Sequence, residues 1–92
     1  MTQAREQVRI VNAKGLHARA SAKFVNTVAM LPQNLEVTVT KDGAEAGGGS
    51  ILGLMMLGAA RGDTIEITVR GDDADLALAK LAGLVKDGFG ED

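Results

Sequence analysis

Ninety-two residues make one domain, spanning 1–92, smaller than the usual size of about 100 to 150 but able to bury roughly 60% of the surface its unfolded chain exposes. Hydrophobic residues at 46% and charged residues at 24% match an ordinary globular domain and not a disordered chain, and ten Lys and Arg against twelve Asp and Glu, net −2, leave no cationic excess to draw nucleic acid. With no Cys and one His there is no disulfide, thiolate zinc site, redox thiol or His-rich metal site to build, so neither metal nor cofactor is expected, and two Phe without Tyr or Trp give no platform for stacking bases.

The chain starts on a polar stretch, Met1 to Val8, with Arg5 and Glu6 where a secretory signal needs an apolar run, and a cytoplasmic protein is expected. Val8 and Ile10 then alternate with Gln7 and Arg9, the period of a strand with one apolar face. From Ala18 to Met30 the spacing predicts a helix with Ala18, Ala22, Val25 and Val28 or Ala29 on its apolar stripe, stopped by Pro32. Leu35, Val37 and Val39 alternate with Glu36, Thr38 and Thr40 in a second strand, and the turn Lys41-Asp42-Gly43 leads to a short edge strand near Ala44 to Ala46.

Gly47-Gly48-Gly49 reads as a flexible connection; it lacks the Gly-Lys-Ser/Thr ending of a nucleotide loop. Ser50 next serves as N-cap of a short helix, because its hydroxyl accepts from an orphaned backbone N–H. The apolar stretch from Ile51 to Ala60, interrupted by Gly53 and Gly58, falls far short of the roughly 20 residues that cross a bilayer. Ile65, Ile67 and Val69 alternate with Glu66, Thr68 and Arg70 in a further strand. Ala74, Ala77, Leu78, Leu81, Ala82 and Val85 recur at helical spacing in the last helix, with Asp72, Asp73 and Asp75 near its positive end and Lys86 near the other. The acidic residues Asp42, Asp63, Asp72, Asp73 and Asp75 suit turns and a helix start, where Asp bonds the backbone. Strands apolar on one face only favour antiparallel pairing. The fold class is α+β, an open-faced β-sandwich in the order βαββαβα, with a four-stranded antiparallel sheet and three helices on one face.

Chemistry centres on His17, the first residue of the first helix. A helix N-terminus offers unpaired N–H groups and partial positive charge, which binds anions and disfavours imidazolium. A neutral ring nitrogen there can act as a nucleophile, and the dianion formed by attack on a phosphoryl group would meet the free amides and the Arg19 guanidinium, with Gly15 letting backbone come close. A histidine that only caps the helix or lies on the surface fits the same position.

Gly15-Leu16-His17-Ala18-Arg19, followed by Ala-Ser-Ala-Lys-Phe, resembles the phosphorylation-site segment of the histidine-containing phosphocarrier protein (HPr) family of the phosphoenolpyruvate-dependent phosphotransferase system. Ser50-Ile-Leu-Gly-Leu-Met-Met-Leu-Gly58 is similar to the family's second motif, and the element order matches over essentially the whole chain. The resemblance implies that His17, through Nδ1, takes phosphate from phospho-Enzyme I and passes it to a histidine of an EIIA-type acceptor, with Arg19 as anion partner. It also implies that Ser50 is a regulatory phosphorylation site for an HPr kinase/phosphorylase. It departs at Ala20, where the family usually has proline, and at Gly49, where a basic residue often precedes the serine. The segment 54–63 and the tail 88–92 look more like the nitrogen-related, regulatory branch than like the sugar-uptake carrier.

The short helix has apolar side chains nearly all round, and a two-turn surface helix can bury about one stripe of them. Leu54 and Leu57 are expected inside, and Ile51, Leu52 and Met55 are expected outside beside the His17 loop as a partner-docking patch, with Lys14 and Lys23 as its thin cationic surround. A monomer is expected. The rival reading is a non-catalytic regulatory binding module on the same sandwich, in which His17 is never phosphorylated.

Overall fold

A computed structural model describes residues 2–91; Met1 of the polar start and Asp92 of the tail lie outside the described residues. The elements run β1 (Gln3–Arg9), α1 (Ala18–Ala29), β2 (Glu36–Lys41), β3 (Ala44–Gly47), α2 (Ile51–Met56), β4 (Thr64–Arg70) and α3 (Ala74–Lys86), ending in a short 3₁₀ turn at Gly88–Gly90. The strands form one antiparallel sheet in the order β1-β4-β2-β3, and the three helices lie on one face of it, as the alternation requires. Val8 sits opposite Ile65, Val39 opposite Ile67 and Val37 opposite Val69, so the apolar residues of three strands share one face. The other face carries Arg5 beside Glu66 and Arg70 beside Glu36.

β1 begins at Gln3, well before the apolar alternation that marks it in sequence, because Gln3 to Gln7 pair with Arg70 to Glu66 through the backbone. Those ladder bonds hold the edge strand although Gln3, Arg5 and Gln7 keep their side chains exposed and only Ala4 and Glu6 are half-buried. Ile10, just past the strand, stays fully buried, and its backbone bonds Asp63 and Gly62 at 2.8 Å each.

The apolar stripe of α1 is not the one its alanines suggest. Ala20, Ser21 and Phe24 are buried and Val25 and Val28 half-buried, while Ala18 and Ala29 are exposed. Phe24 is the largest apolar group on the helix, and burying it outweighs several alanine methyls, so it sets the phase. Ser21 is tolerated inside because its hydroxyl donates to the Leu16 carbonyl.

The glycine run is an ordered turn and not a flexible connection. The Gly48 N–H donates to the Val37 carbonyl at 2.8 Å, and a Cβ on Gly48 would lie 2.5 Å from Val37 Cγ1. In α3 the buried residues are Ala74, Ala77, Leu78, Leu81, Ala82 and Val85, the stripe that helical spacing predicts. Asp63 accepts from the Ala60 N–H at 2.9 Å, as a turn aspartate does, whereas Asp73 stands at the α3 N-cap with φ +59° and makes no side-chain cap bond. After α3 the chain turns back and seats Phe89, 1% exposed, in the core beside α1 and α3. No described helix is long and apolar enough to cross a membrane.

Candidate functional site

The loop between β1 and α1 is built backwards from its anchors. Leu16 is buried, and its N–H donates to the Ala59 carbonyl at 2.9 Å, which ties the loop to the segment after α2. Gly15 has φ +61°, and a Cβ there would press into the Ala59 carbonyl oxygen and come 2.9 Å from Ala60 Cα. The close approach that glycine permits here is therefore between two protein segments and not between backbone and phosphate. Asn12 closes the loop from the other side, with Nδ2 donating to the Gly15 carbonyl at 2.8 Å.

His17 emerges from this loop one position before the helix proper. Its ψ of −178° is extended, so it is the N-cap of α1 and not the first helical residue. Nδ1 accepts from the Arg19 backbone N–H at 3.3 Å, the role a Ser or Asp oxygen usually fills. The first turn of α1 holds no acidic residue, so no side chain of the helix itself offsets the positive end of its dipole beside that nitrogen. Ala20, in the same turn, is buried, and its N–H precedes the first helical hydrogen bond, from Ser21 to His17. A proline there would remove no helical bond, so the departure from the family pattern leaves the helix start intact.

The other ring nitrogen faces a residue the sequence reading left unassigned. Nε2 lies 2.8 Å from Oε2 of Glu91, whose Oε1 accepts from Asn12 Nδ2 at 3.0 Å. Burial pushes the Glu91 carboxyl up, but hydrogen bonds from Asn12 and His17 and the charges of His17 and Lys23 outweigh it and hold the group below its ordinary value. An ionised carboxylate can only accept, so Nε2 carries the hydrogen, and Nδ1, facing a backbone N–H, carries the lone pair.

A cleft of about 330 Å³ opens beside the ring, lined by Ala13, Lys14, His17, Arg19, Lys23, Gly90 and Glu91. The structure thus brings Lys14, Arg19 and Lys23 together around His17. Lys14 and Arg19 have no carboxylate partner within ion-pair distance among the described residues, whereas Lys23 Nζ is engaged, donating to the Phe89 carbonyl at 2.7 Å. No cluster of His, Asp and Glu that could hold a metal ion occurs among the described residues. The cationic lining can hold an anionic group in this cleft, beside the ring whose Nδ1 carries the lone pair.

Ser50 caps α2, its Oγ accepting from the Gly53 N–H at 2.9 Å. On α2, Leu54 and the C-cap Leu57 are buried, while Ile51, Leu52, Met55 and Met56 are exposed; Met56, at 77%, is the most exposed of the four. α2 packs on α1, and the Leu16–Ala59 bond ties the segment after α2 to the His17 loop.

Nothing in the spacing of Asn12 and Glu91 marks them in the sequence. The available signal was Phe89, one of two phenylalanines in the chain, set between glycines near the end, where a core anchor fixes whatever follows it.

Residues 4–87 match the model of the family described as the PTS HPr component phosphorylation site. The chain is 44% identical over 87 residues to the phosphocarrier protein HPr of Neisseria meningitidis, covering 95% of this chain and 96% of that one. It is 38% identical over 91 residues to the phosphocarrier protein NPr of Shewanella violacea, covering 99% and 98%. Among solved structures, the phosphocarrier protein HPr from Bacillus anthracis superposes with a TM-score of 0.84 at 33% identity, over 92% of this chain and 99% of that one.

Proposed function

The chain belongs to the HPr phosphocarrier family of the phosphotransferase system, and on that footing we propose that His17 accepts a phosphoryl group from phospho-Enzyme I and hands it to a histidine of an EIIA-type acceptor in the cytoplasm, the carrier acting as a monomer. The observation that carries this reading is the placement of His17 Nδ1, a lone-pair nitrogen at the N-terminus of α1 beside a cleft with Lys14, Arg19 and Lys23. Nδ1 attacks phosphorus, the P–N bond of the donor histidine breaks, and its electron pair returns to the donor ring. In the product, the Arg19 N–H, which had bonded Nδ1, is left facing the phosphoryl oxygens, and the Arg19 guanidinium supplies charge. The second transfer is the same exchange toward the acceptor, so the phosphorylated carrier is a full intermediate and not a catalyst standing outside the reaction.

Both partners would meet the apolar patch of α2, where Ile51, Leu52 and Met55 adapt to more than one surface. Lys14 adds modest charge steering. Ser50 enters as a regulatory site through the family resemblance, and a phosphate on its Oγ would displace the bond from the Gly53 N–H; kinase-dependent label lost in Ser50→Ala is its test. The similarity to a carrier called NPr stands beside the nitrogen-related look of segment 54–63 and the tail in favouring that branch of acceptors.

The experiment is labelled phosphate transfer from phosphoenolpyruvate with catalytic Enzyme I, on the wild type and His17→Ala. Acid-labile, alkali-stable label on the wild type alone is the expected result. No label on the wild type with a cognate Enzyme I would favour the regulatory binding module and refute the carrier.

A further inference from the structure

Glu91 lies beyond the residues that match the family pattern, yet it is held against His17 from three sides. Phe89 anchors the tail in the core with φ +58°, Lys23 Nζ grips the Phe89 carbonyl at 2.7 Å, and the Glu91 N–H donates to Gly88 at 2.9 Å. Asn12, 2% exposed, then directs Nδ2 at both Glu91 and the Gly15 carbonyl, and its Oδ1 is left buried without a partner. The opposite amide orientation would satisfy neither acceptor and would set an oxygen against the carboxylate. An amide that gives up one of its own hydrogen bonds to serve Glu91 and the His17 loop marks this contact as built.

We infer that Glu91 is a positioning residue for phosphoryl transfer at His17, holding the ring through Nε2–H so that Nδ1 is the attacking nitrogen and the charge acquired on phosphorylation is met by a carboxylate. The inference rests on the phosphocarrier reading. When Nδ1 bonds phosphorus, Nε2 keeps its hydrogen and the ring becomes cationic. Lys14, Arg19 and Lys23 line the same cleft and oppose that charge, and Glu91 is the carboxylate lining it among the described residues. When the P–N bond breaks in the second transfer, its electron pair returns to Nδ1 and the ring is neutral again. An orienting carboxylate on the far nitrogen of a reacting imidazole acts in this way in other transfer chemistry.

The test compares the wild-type protein with Glu91→Gln, which keeps the shape of the side chain but loses its charge and cannot accept from Asn12 and His17 together. Two readouts are taken: the ¹⁵N resonances of the unphosphorylated His17 ring at a pH where it is neutral, and single-turnover acceptance of phosphate from phospho-Enzyme I over a range of Enzyme I concentrations. The wild-type ring is expected as the Nε2–H tautomer and the variant ring as a mixture. Acceptance by the variant is expected to slow by about tenfold at saturation, the low end for orienting partners, with the half-saturating concentration unchanged. A variant ring identical to wild type overturns the inference, whatever the rate, because a slow variant would then owe its defect to contact with Enzyme I. A changed ring with an unchanged rate overturns the role in transfer. Absence of label on the wild type refutes the carrier reading and the transfer role with it, while the ring resonances still decide whether Glu91 sets the tautomer.

Discussion

Replacing Gly15 by alanine tests whether the His17 loop is held by a close approach of two backbone segments. A Cβ at φ near +60° costs about 1 kcal/mol by itself. Gly43, at φ +84°, isolates that contribution, since nothing lies within 4 Å of where its Cβ would be. At Gly15 the same Cβ meets the Ala59 carbonyl and lies 2.9 Å from Ala60 Cα, so the two segments must part. Parting them loses the Leu16–Ala59 hydrogen bond, about 1 kcal/mol, and shifts packed backbone, about 1 to 3 kcal/mol more. Gly15→Ala is therefore expected to lose about 3 to 5 kcal/mol and Gly43→Ala about 1 kcal/mol. Urea unfolding at fixed temperature reads both. Below the unfolding transition Gly15→Ala should also accept phosphate more slowly, by about 10- to 100-fold, since a displacement on the order of 1 Å at a reacting group has that effect. Equal stability losses in the two variants would refute the close-approach argument and leave only the backbone conformation.

The α2 helix separates docking from stability: Leu52→Ser, at a side chain 67% exposed, is expected to shift stability by less than about 0.5 kcal/mol while weakening the interaction with Enzyme I, and Leu54→Ala, at a fully buried one, to lose about 2 to 5 kcal/mol. Calorimetry and an Enzyme I titration check the pair, and an unaltered titration with Leu52→Ser would remove the docking assignment. The Glu91 carboxyl is held lower in the folded chain than in the unfolded one. Its contribution is therefore fully present above the ordinary carboxylate range and lost as pH falls through the folded value. The stability difference between the wild type and Glu91→Gln should thus shrink as pH falls through the carboxylate range, as urea unfolding across a pH series would show. A difference that grew across that range would contradict the sign.

The α3 stripe, the alternation of β2 and β4, the Ser50 cap and the exposed side of α2 were all readable in sequence, because each follows from local periodicity or one side chain's bond to nearby backbone. The position of His17 at a helix start was readable to within one residue for the same reason. The phase of α1 was not, since alanines contribute too little burial to set it and the packing of Phe24 does. Nor was the order of Gly47 to Gly49, which depends on Val37 from another strand. The environment of the ring lay furthest from reach. Asn12 and Glu91 are 79 residues apart, and they meet only because Phe89 is pulled into a core assembled from the whole chain. Local sequence determined which residue could carry chemistry and on which element it sits; long-range packing decided which ring nitrogen holds the proton and what faces it, because no local pattern encodes a contact between two ends of a chain.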